Sequence, residues 1–377
     1  MKKIFLIILY IIIFSNVAYA NEVMDEQLNH INFNGIQNKI DDIGVKDKNE
    51  ALQNFDFLAE VKKLITGETD ISIENVVGIG TTALIKEVKS NFILMAQILL
   101  LVILSAIIKN LTDSFENKEA SEIAFYVCYV IIIISVIKTF KITIDIATTT
   151  IDNILSLMKV IIPVFISTIF TTGNITTATT ANAVIFASIN YIAILVKTIF
   201  LPVITYLSVV QIINFLSEKE ILKELTDLIR KSVIWGLKGM VVIFLGLSAI
   251  QRFTAPVLDG ITKKGVALTT KTIVPVLGDV MNSAVDTFIN CTILIKNSVG
   301  IVAVIGLILI CFIPLLKILA VIITYKLVAA IMQPIAESRV VKCFSEFGNN
   351  IAVIFACVLA VALCFVISIS ILITVGS

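Results

Sequence analysis

Histidine is almost missing from this chain: His30 is the only one in 377 residues. That excludes a metal site built on paired histidines and a hydrolase whose serine needs a histidine in the membrane region. Neither HExxH nor GxxxxGK[ST] occurs, so metalloprotease chemistry and direct ATP hydrolysis are excluded as well. Charge is scarce too. Asp, Glu, Lys and Arg make up 15% of the residues, against about 25% in soluble domains, and a water-soluble globular chain is hard to sustain. A net charge of +1 implies no nucleic-acid partner. No two of the six cysteines form a CxxC pair and none falls in 21–90, so no disulfide framework is expected there. The cysteines read as small core-packing residues.

Apolar side chains fill the space these absences leave. The chain is 58% hydrophobic, with a mean hydropathy of +1.02. The fold class it predicts is all-α, a polytopic membrane protein. At the start, Lys2 and Lys3 precede the apolar run Ile4–Phe14 and an Ala18-Tyr19-Ala20 pattern. Residues 1–20 therefore read as a signal peptide, which puts 21–90 outside the cytoplasm as a small helical segment. Its apolar stripes are Leu28, Ile31, Ile36, Ile40, Ile43 and then Leu52, Phe55, Leu58, Val61, Ile65. His30 lies among them and reads as solvated or capping. Residues 91–137 carry the first two spans, Phe92–Ile108 and Ile123–Ile137.

From residue 138 onward the chain repeats itself. KVIIPV at Lys159–Val164 returns as KTIVPV at Lys271–Val276, an offset of 112 residues, and Leu201-Pro202 returns as Ile313-Pro314 at the same offset. Two units are expected, 138–250 and 251–377. Pro163, Pro202, Pro275 and Pro314 mark equivalent helix breaks, so that Asn182–Phe200 and Val203–Phe215 form one Pro-separated pair and Val299–Ile313 and Leu315–Ile331 another. Internal repeats in membrane proteins often build a site between the copies. Parallel and inverted arrangements both fit the pattern.

Two polar stripes stand out. Lys138, Asp145, Asp152 and Lys159 recur every seven residues and share one helix face, with Ile142, Ile146, Ile151, Leu155 and Met158 expected opposite. That face is either a wet interfacial stripe or the wall of an aqueous passage. Further on, Asp279, Asn282, Ser283, Asp286 and Asn290 share a face of the Pro275 helix, and Lys296 follows. Carboxylates at membrane depth cost roughly 2.5–3.5 kcal/mol each, so this stripe faces either a hydrated groove or bulk water. Gln211, Asn214, Asn190 and Gln333 are lone polar groups in apolar runs and read as interhelix hydrogen-bonding residues. No catalytic set, cofactor site or metal site is expected, and the chain does not read as an enzyme.

IVPVLGDVMNS at 273–283, AVDT at 284–287, LIKNSVG at 294–300, IPLLKI at 313–318 and MQPI at 332–335 resemble the stage III sporulation protein AE family of endospore-forming bacteria. WGLKGMVVIFLGLSAIQ at 235–251 is similar to the family as well. The resemblance implies a membrane subunit of a mother-cell channel complex in the outer forespore membrane, needed after engulfment. Its partners would be other membrane proteins of that complex, ring-forming proteins and a separate ATPase, with the lipid bilayer around it. The chain would act as permease-like core or scaffold. A self-sufficient ion-coupled transporter and a structural anchor that recruits ring proteins are the other readings.

Overall fold

Four very long helices set the architecture. The structure, a computed structural model, describes residues 24–29, 31–47, 50–67, 85–91, 95–104, 106–107, 118–171, 182–216, 222–270 and 278–374. After a short helix at 24–29 come α1 (Asn34–Asp47), α2 (Glu50–Gln53) and α3 (Phe57–Thr66). Helical turns at 85–91 and 95–104 lead to α4 (Lys118–Thr171). Next are α5 (Asn182–Leu195), a π-turn (Val196–Phe200) and α6 (Leu201–Leu216), then α7 (Lys223–Thr270), α8 (Gly278–Met332) and α9 (Ser338–Thr374). Among the described residues six stretches are long and apolar enough to cross a membrane: Ile85–Leu104, Val127–Phe170, Val184–Phe215, Lys223–Gln251, Phe288–Met332 and Ser338–Thr374. The described residues contain no strand, as the composition predicts.

Pro163, Pro202 and Pro314, expected to break helices, do not. α4 runs through Pro163 and α8 through Pro314. Pro202 is the second residue of α6, directly after the π-turn. There the Leu201 N–H reaches the Val196 carbonyl, five residues back, and the widened turn accommodates a residue that has no donor of its own. Both expected Pro-separated pairs are therefore continuous rods. The physical reason is that hydrocarbon offers no water to a broken backbone, so losing one hydrogen bond is cheaper than leaving the helix. The same logic carries α4 across the apolar run at 123–137 and the charged stretch after it, and joins 278–290 to the Pro314 helix as one α8. Pro275, residues 1–20 (the expected signal peptide) and His30 lie outside the described residues.

Packing partners fix the directions of the rods. The Tyr129 hydroxyl donates to the Phe215 carbonyl (3.2 Å), and Asp152 meets Lys197, so α4 runs antiparallel to α5 and α6. The Tyr325 hydroxyl reaches the Val136 carbonyl (3.5 Å), while Phe165 lies beside Gly300, so α4 is antiparallel to α8 as well. Phe140 stacks edge-on against Phe347, with centroids 5.6 Å apart, and Ile373 is near Gly300 and Phe165. α9 therefore runs parallel to α4. It is the most buried of the candidate spans, packed through Phe344, Phe347, Ile351, Ile354, Val358 and Phe365.

At Gly300 three helices meet without room for a side chain. A Cβ there would stand 2.4 Å from Ile373 Cδ1 and Cγ1 and 3.2 Å from Phe165 Cζ. Overpacking of this kind costs about 1–3 kcal/mol. Gly300→Ala is expected to lower the melting temperature of the purified protein in detergent, and adding Ile373→Ala should restore part of the loss. Equal melting of parent and Gly300→Ala would show that the crossing yields.

The amino-terminal helices bury Ile36, Ile40, Ile43, Leu52, Phe57 and Val61, all essentially inaccessible, in the same apolar cluster as the bundle. Gln37 ties the segment together: its Nε2 donates to the Phe55 carbonyl (2.9 Å) and its Oε1 accepts from the Phe57 N–H (2.8 Å). Asp56 caps α3 by accepting from the Ala59 N–H. The cap sets the helix frame so that Phe57 faces inward and Leu58 outward, which corrects the expected stripe through Leu58. The segment rests on α8: Thr292 donates to Gln27 Oε1 (3.1 Å), and Gln27 Nε2 to the Phe288 carbonyl (3.3 Å).

Candidate functional site

α4 carries a row of charged side chains among long apolar helices. Lys138, Lys141, Asp145 and Lys159 are exposed on one face and Asp152 is half-buried on it. Antiparallel pairing sets Asp152 level with Lys197, and the Phe200 ring touches the Gly236 position of α7. At that level α5 and α6 expose Ile194, Ile199 and Tyr206, and α7 exposes Trp235, Val242 and Ile243 with Lys238 among them. Apart from that lysine, side chains of this kind belong in hydrocarbon. The α4 face interrupts this apolar belt as a charged groove between α5 and α8.

Each wall of the groove contributes a lysine. On one side Lys197, in the π-turn, donates from Nζ to Asp152 Oδ1 at 2.5 Å. On the other side Lys317 of α8 and Asp145 line a cavity of about 260 Å³ with Thr149, Thr150 and Pro314. The π-turn rotates the helix locally, a device found often at functional sites, and here it delivers the one lysine of the Val184–Phe215 run to the carboxylate. Ile142 also lines the cavity and is half-exposed. It was expected on the face opposite the charges, but its position one turn from Lys138 and Asp145 places it beside them. Ile151 and Met158 are buried as expected. A second cavity, of about 750 Å³ between α5 and α7, is lined by Ala187, Tyr191, Gly236, Gly239, Met240 and Leu247. Its lining suits hydrocarbon rather than charge.

A buried polar network closes one end of the bundle. Asn350, fully inaccessible, donates from Nδ2 to Gln211 Oε1 (2.7 Å) and Ser208 Oγ (2.9 Å). Its Oδ1 accepts from Arg230 Nε (3.3 Å). Arg230 also pairs with Glu346 and stands 3.8 Å from Asp227. Lys326 Nζ donates to Asn349 Oδ1 (2.5 Å). α6, α7, α8 and α9 are thus joined by polar contacts within two turns of α9.

The second expected stripe is placed only in part. Asp279, Asn282, Ser283 and Asp286 fall in the first turns of α8, and their side chains lie outside the described residues. Asn290 is exposed, and Lys296, on the same helix, is completely buried. Of the lone polar groups, Gln211 makes the interhelix bond expected of it, while Asn214 instead accepts from the Leu222 N–H (3.0 Å) at the start of α7. Gln333 is exposed just past the end of α8. Sequence reading found Asp145 and Asp152 through their spacing, but missed Lys197, Lys317, Arg230 and Asn350. The available signal was complementarity: an isolated lysine in an apolar run needs an acid at the same depth. All six cysteines are buried. Among the described residues no group of three His, Cys, Asp or Glu side chains could hold a metal ion.

These features define a multi-pass helical membrane protein that carries ionisable side chains among its spans. The profile described as Stage III sporulation protein AE matches residues 55–376. A protein named Stage III sporulation protein AE, from Bacillus subtilis (strain 168), is 32% identical over 294 residues, which cover 78% of this chain and 74% of that protein. The chain belongs to the stage III sporulation protein AE family and is a sporulation membrane protein. No solved structure matches it.

Proposed function

We propose that this protein is the permease-like membrane core of a mother-cell channel complex that sustains the forespore after engulfment. It resides in the mother-cell-derived outer forespore membrane, with residues 21–90 outside the cytoplasm and duplicated membrane units at 138–250 and 251–377. Energy comes from a separate ATPase, and ring-forming proteins continue the path beyond the membrane. The observation that carries the reading is the charged groove on α4, where Asp145, Thr149 and Lys317 share a cavity at the depth of the apolar belt. A scaffold needs no such groove, because charge held against lipid is costly.

The test is made in a spore-forming host with this chain as its sole copy. Asp145→Asn and Lys317→Gln are scored for heat-resistant spores, with protein level and partner co-purification measured alongside. A change of about 1.4 kcal/mol in a passage barrier alters its rate about tenfold. A fall in spore yield of that order or more, with level and partners unchanged, is expected. Normal yield from both variants would leave the scaffold reading standing and remove this one.

A further inference from the structure

We propose that the groove on α4 is selective for anions: the solutes it passes are small molecules that carry phosphate or carboxylate groups. The inference rests on the permease-like reading of the same groove and names its substrate class. Seven ionisable side chains face the groove. α4 supplies Lys138, Lys141, Asp145, Asp152 and Lys159, and the walls add Lys197 and Lys317. Five lysines against two aspartates leave an excess of three positive charges.

The order of these charges along the helix matters as much as their number. Both aspartates lie in the middle stretch, each beside a lysine of one wall: Asp152 accepts from Lys197 (2.5 Å), and Asp145 shares a cavity with Lys317. The excess sits at the two ends. Lys138 and Lys141 stand at one end and Lys159 at the other, all three exposed. Among the described residues no carboxylate lies within ion-pair distance of them. The 21 residues from Lys138 to Lys159 rise about 31 Å at 1.5 Å each, close to the roughly 30 Å of a hydrocarbon core. Lone cations thus mark the two mouths of the groove, and matched acids and bases mark its middle. At either mouth the excess charge concentrates anions and repels cations, as lysine and arginine do in anion-selective pores. In the middle an anion meets ammonium groups that already have a carboxylate, so it is held weakly enough to leave. Phospholipid headgroups share this anionic chemistry, and a lysine at the membrane boundary can reach them. Lys197, Lys317, exposed Thr149 and half-buried Ser156 continue the polar surface between the two ends, at a depth that a headgroup does not reach. That continuity favours a solute.

Thr149→Cys in the full chain, in native membranes open on both faces, reads the field in the middle of the groove. The probes are two methanethiosulfonate reagents of similar size, one bearing a sulfonate and one a trimethylammonium group. Their rate ratio is taken relative to that measured with free 2-mercaptoethanol. The six native cysteines are buried and give little background. At low salt the anionic reagent is expected to be favoured about tenfold, the lower end of what a cleft lined by one sign of charge achieves. Salt at 1 M shortens the screening length to about 3 Å and should remove the preference, as should the combined Lys138→Gln, Lys141→Gln and Lys159→Gln changes. A preference that survives both treatments has another source and overturns the inference. A ratio at low salt equal to that of the free thiol, or one favouring the cationic reagent, also overturns it and leaves the permease-like reading in place, since both reagents still enter. A cysteine inert to both reagents removes that reading, and the inference with it. A preference absent in membranes that emerges only in lipid-free detergent assigns the lysines to phospholipid headgroups and overturns the passage of anions.

Discussion

Arg230→Ala is expected to be the most destabilising single substitution in the membrane bundle. The guanidinium is 15% exposed and contacts Glu346, Asp227 and the Asn350 carbonyl oxygen. Removing it strands the Glu346 carboxylate, which is about two-thirds covered, and leaves Asn350 Oδ1 without its donor. Breaking a buried pair by deleting one partner costs about 3–5 kcal/mol; partial exposure of Glu346 puts this case at the lower end. Arg230→Lys is expected to rescue little, because a single ammonium cannot reach Glu346 and Asn350 in the fixed fork geometry of a guanidinium. Glu346→Gln should be milder, since an amide oxygen still accepts from Arg230. Thermal unfolding in detergent, followed by size-exclusion recovery, reads all three. If Arg230→Ala melts with the parent, the network is incidental to the fold. Asn350→Leu supplies an independent check: it leaves Gln211 Oε1 without the Asn350 donor in a dry site, at about 1–3 kcal/mol for the group left unsatisfied, while Ser208 keeps its bond to the Ile204 carbonyl (2.9 Å).

How far the sequence foretold this molecule differs with the kind of signal. Hydropathy found apolar runs that overlap the candidate spans Ile85–Leu104, Val127–Phe170, Val184–Phe215 and Phe288–Met332, because a run of apolar residues has the same meaning in any helix order. Heptad spacing placed Lys138, Asp145, Asp152 and Lys159 on one face, since a helix turns by a fixed angle. Proline was misleading. Pro163 and Pro314 were expected to end helices, as they would in water, yet surrounding helices hold α4 and α8 through them. At Asp56 a local cap decided which of Phe57 and Leu58 faces inward, and periodicity alone chose the wrong one. Partners across the bundle were illegible. Lys197 lies 45 residues from Asp152, and Arg230 lies 116 from Glu346. No local pattern encodes such distances; the antiparallel registers that join them are set by side-chain packing along the whole length of each rod.

That register makes the Asp152–Lys197 pair the sharpest test of the groove. Asp152→Asn leaves Lys197 charged in the middle of an apolar helix; Lys197→Met leaves Asp152 in the same condition. Each single change is expected to cost roughly 2.5–3.5 kcal/mol, the insertion penalty of a lone charge at bilayer depth, reduced to the extent that water enters the groove. The double change Asp152→Asn with Lys197→Met removes both charges and should be milder than either single change. The coupling energy from the four-protein cycle then has a definite sign, with the pair favourable by about 0.5–3 kcal/mol. Reversal, Asp152→Lys with Lys197→Asp, should recover part of the stability, although the π-turn is shaped for the longer side chain at 197. Spore yield separates structure from passage. If the double neutral variant folds and inserts normally but still fails to support spores, the charges themselves act in the groove. If it restores both stability and sporulation, the pair only holds α5 to α4, and the functional burden falls on Asp145 and Lys317 alone. Additive single effects, with no coupling, would mean that the two side chains do not pair in the bilayer at all.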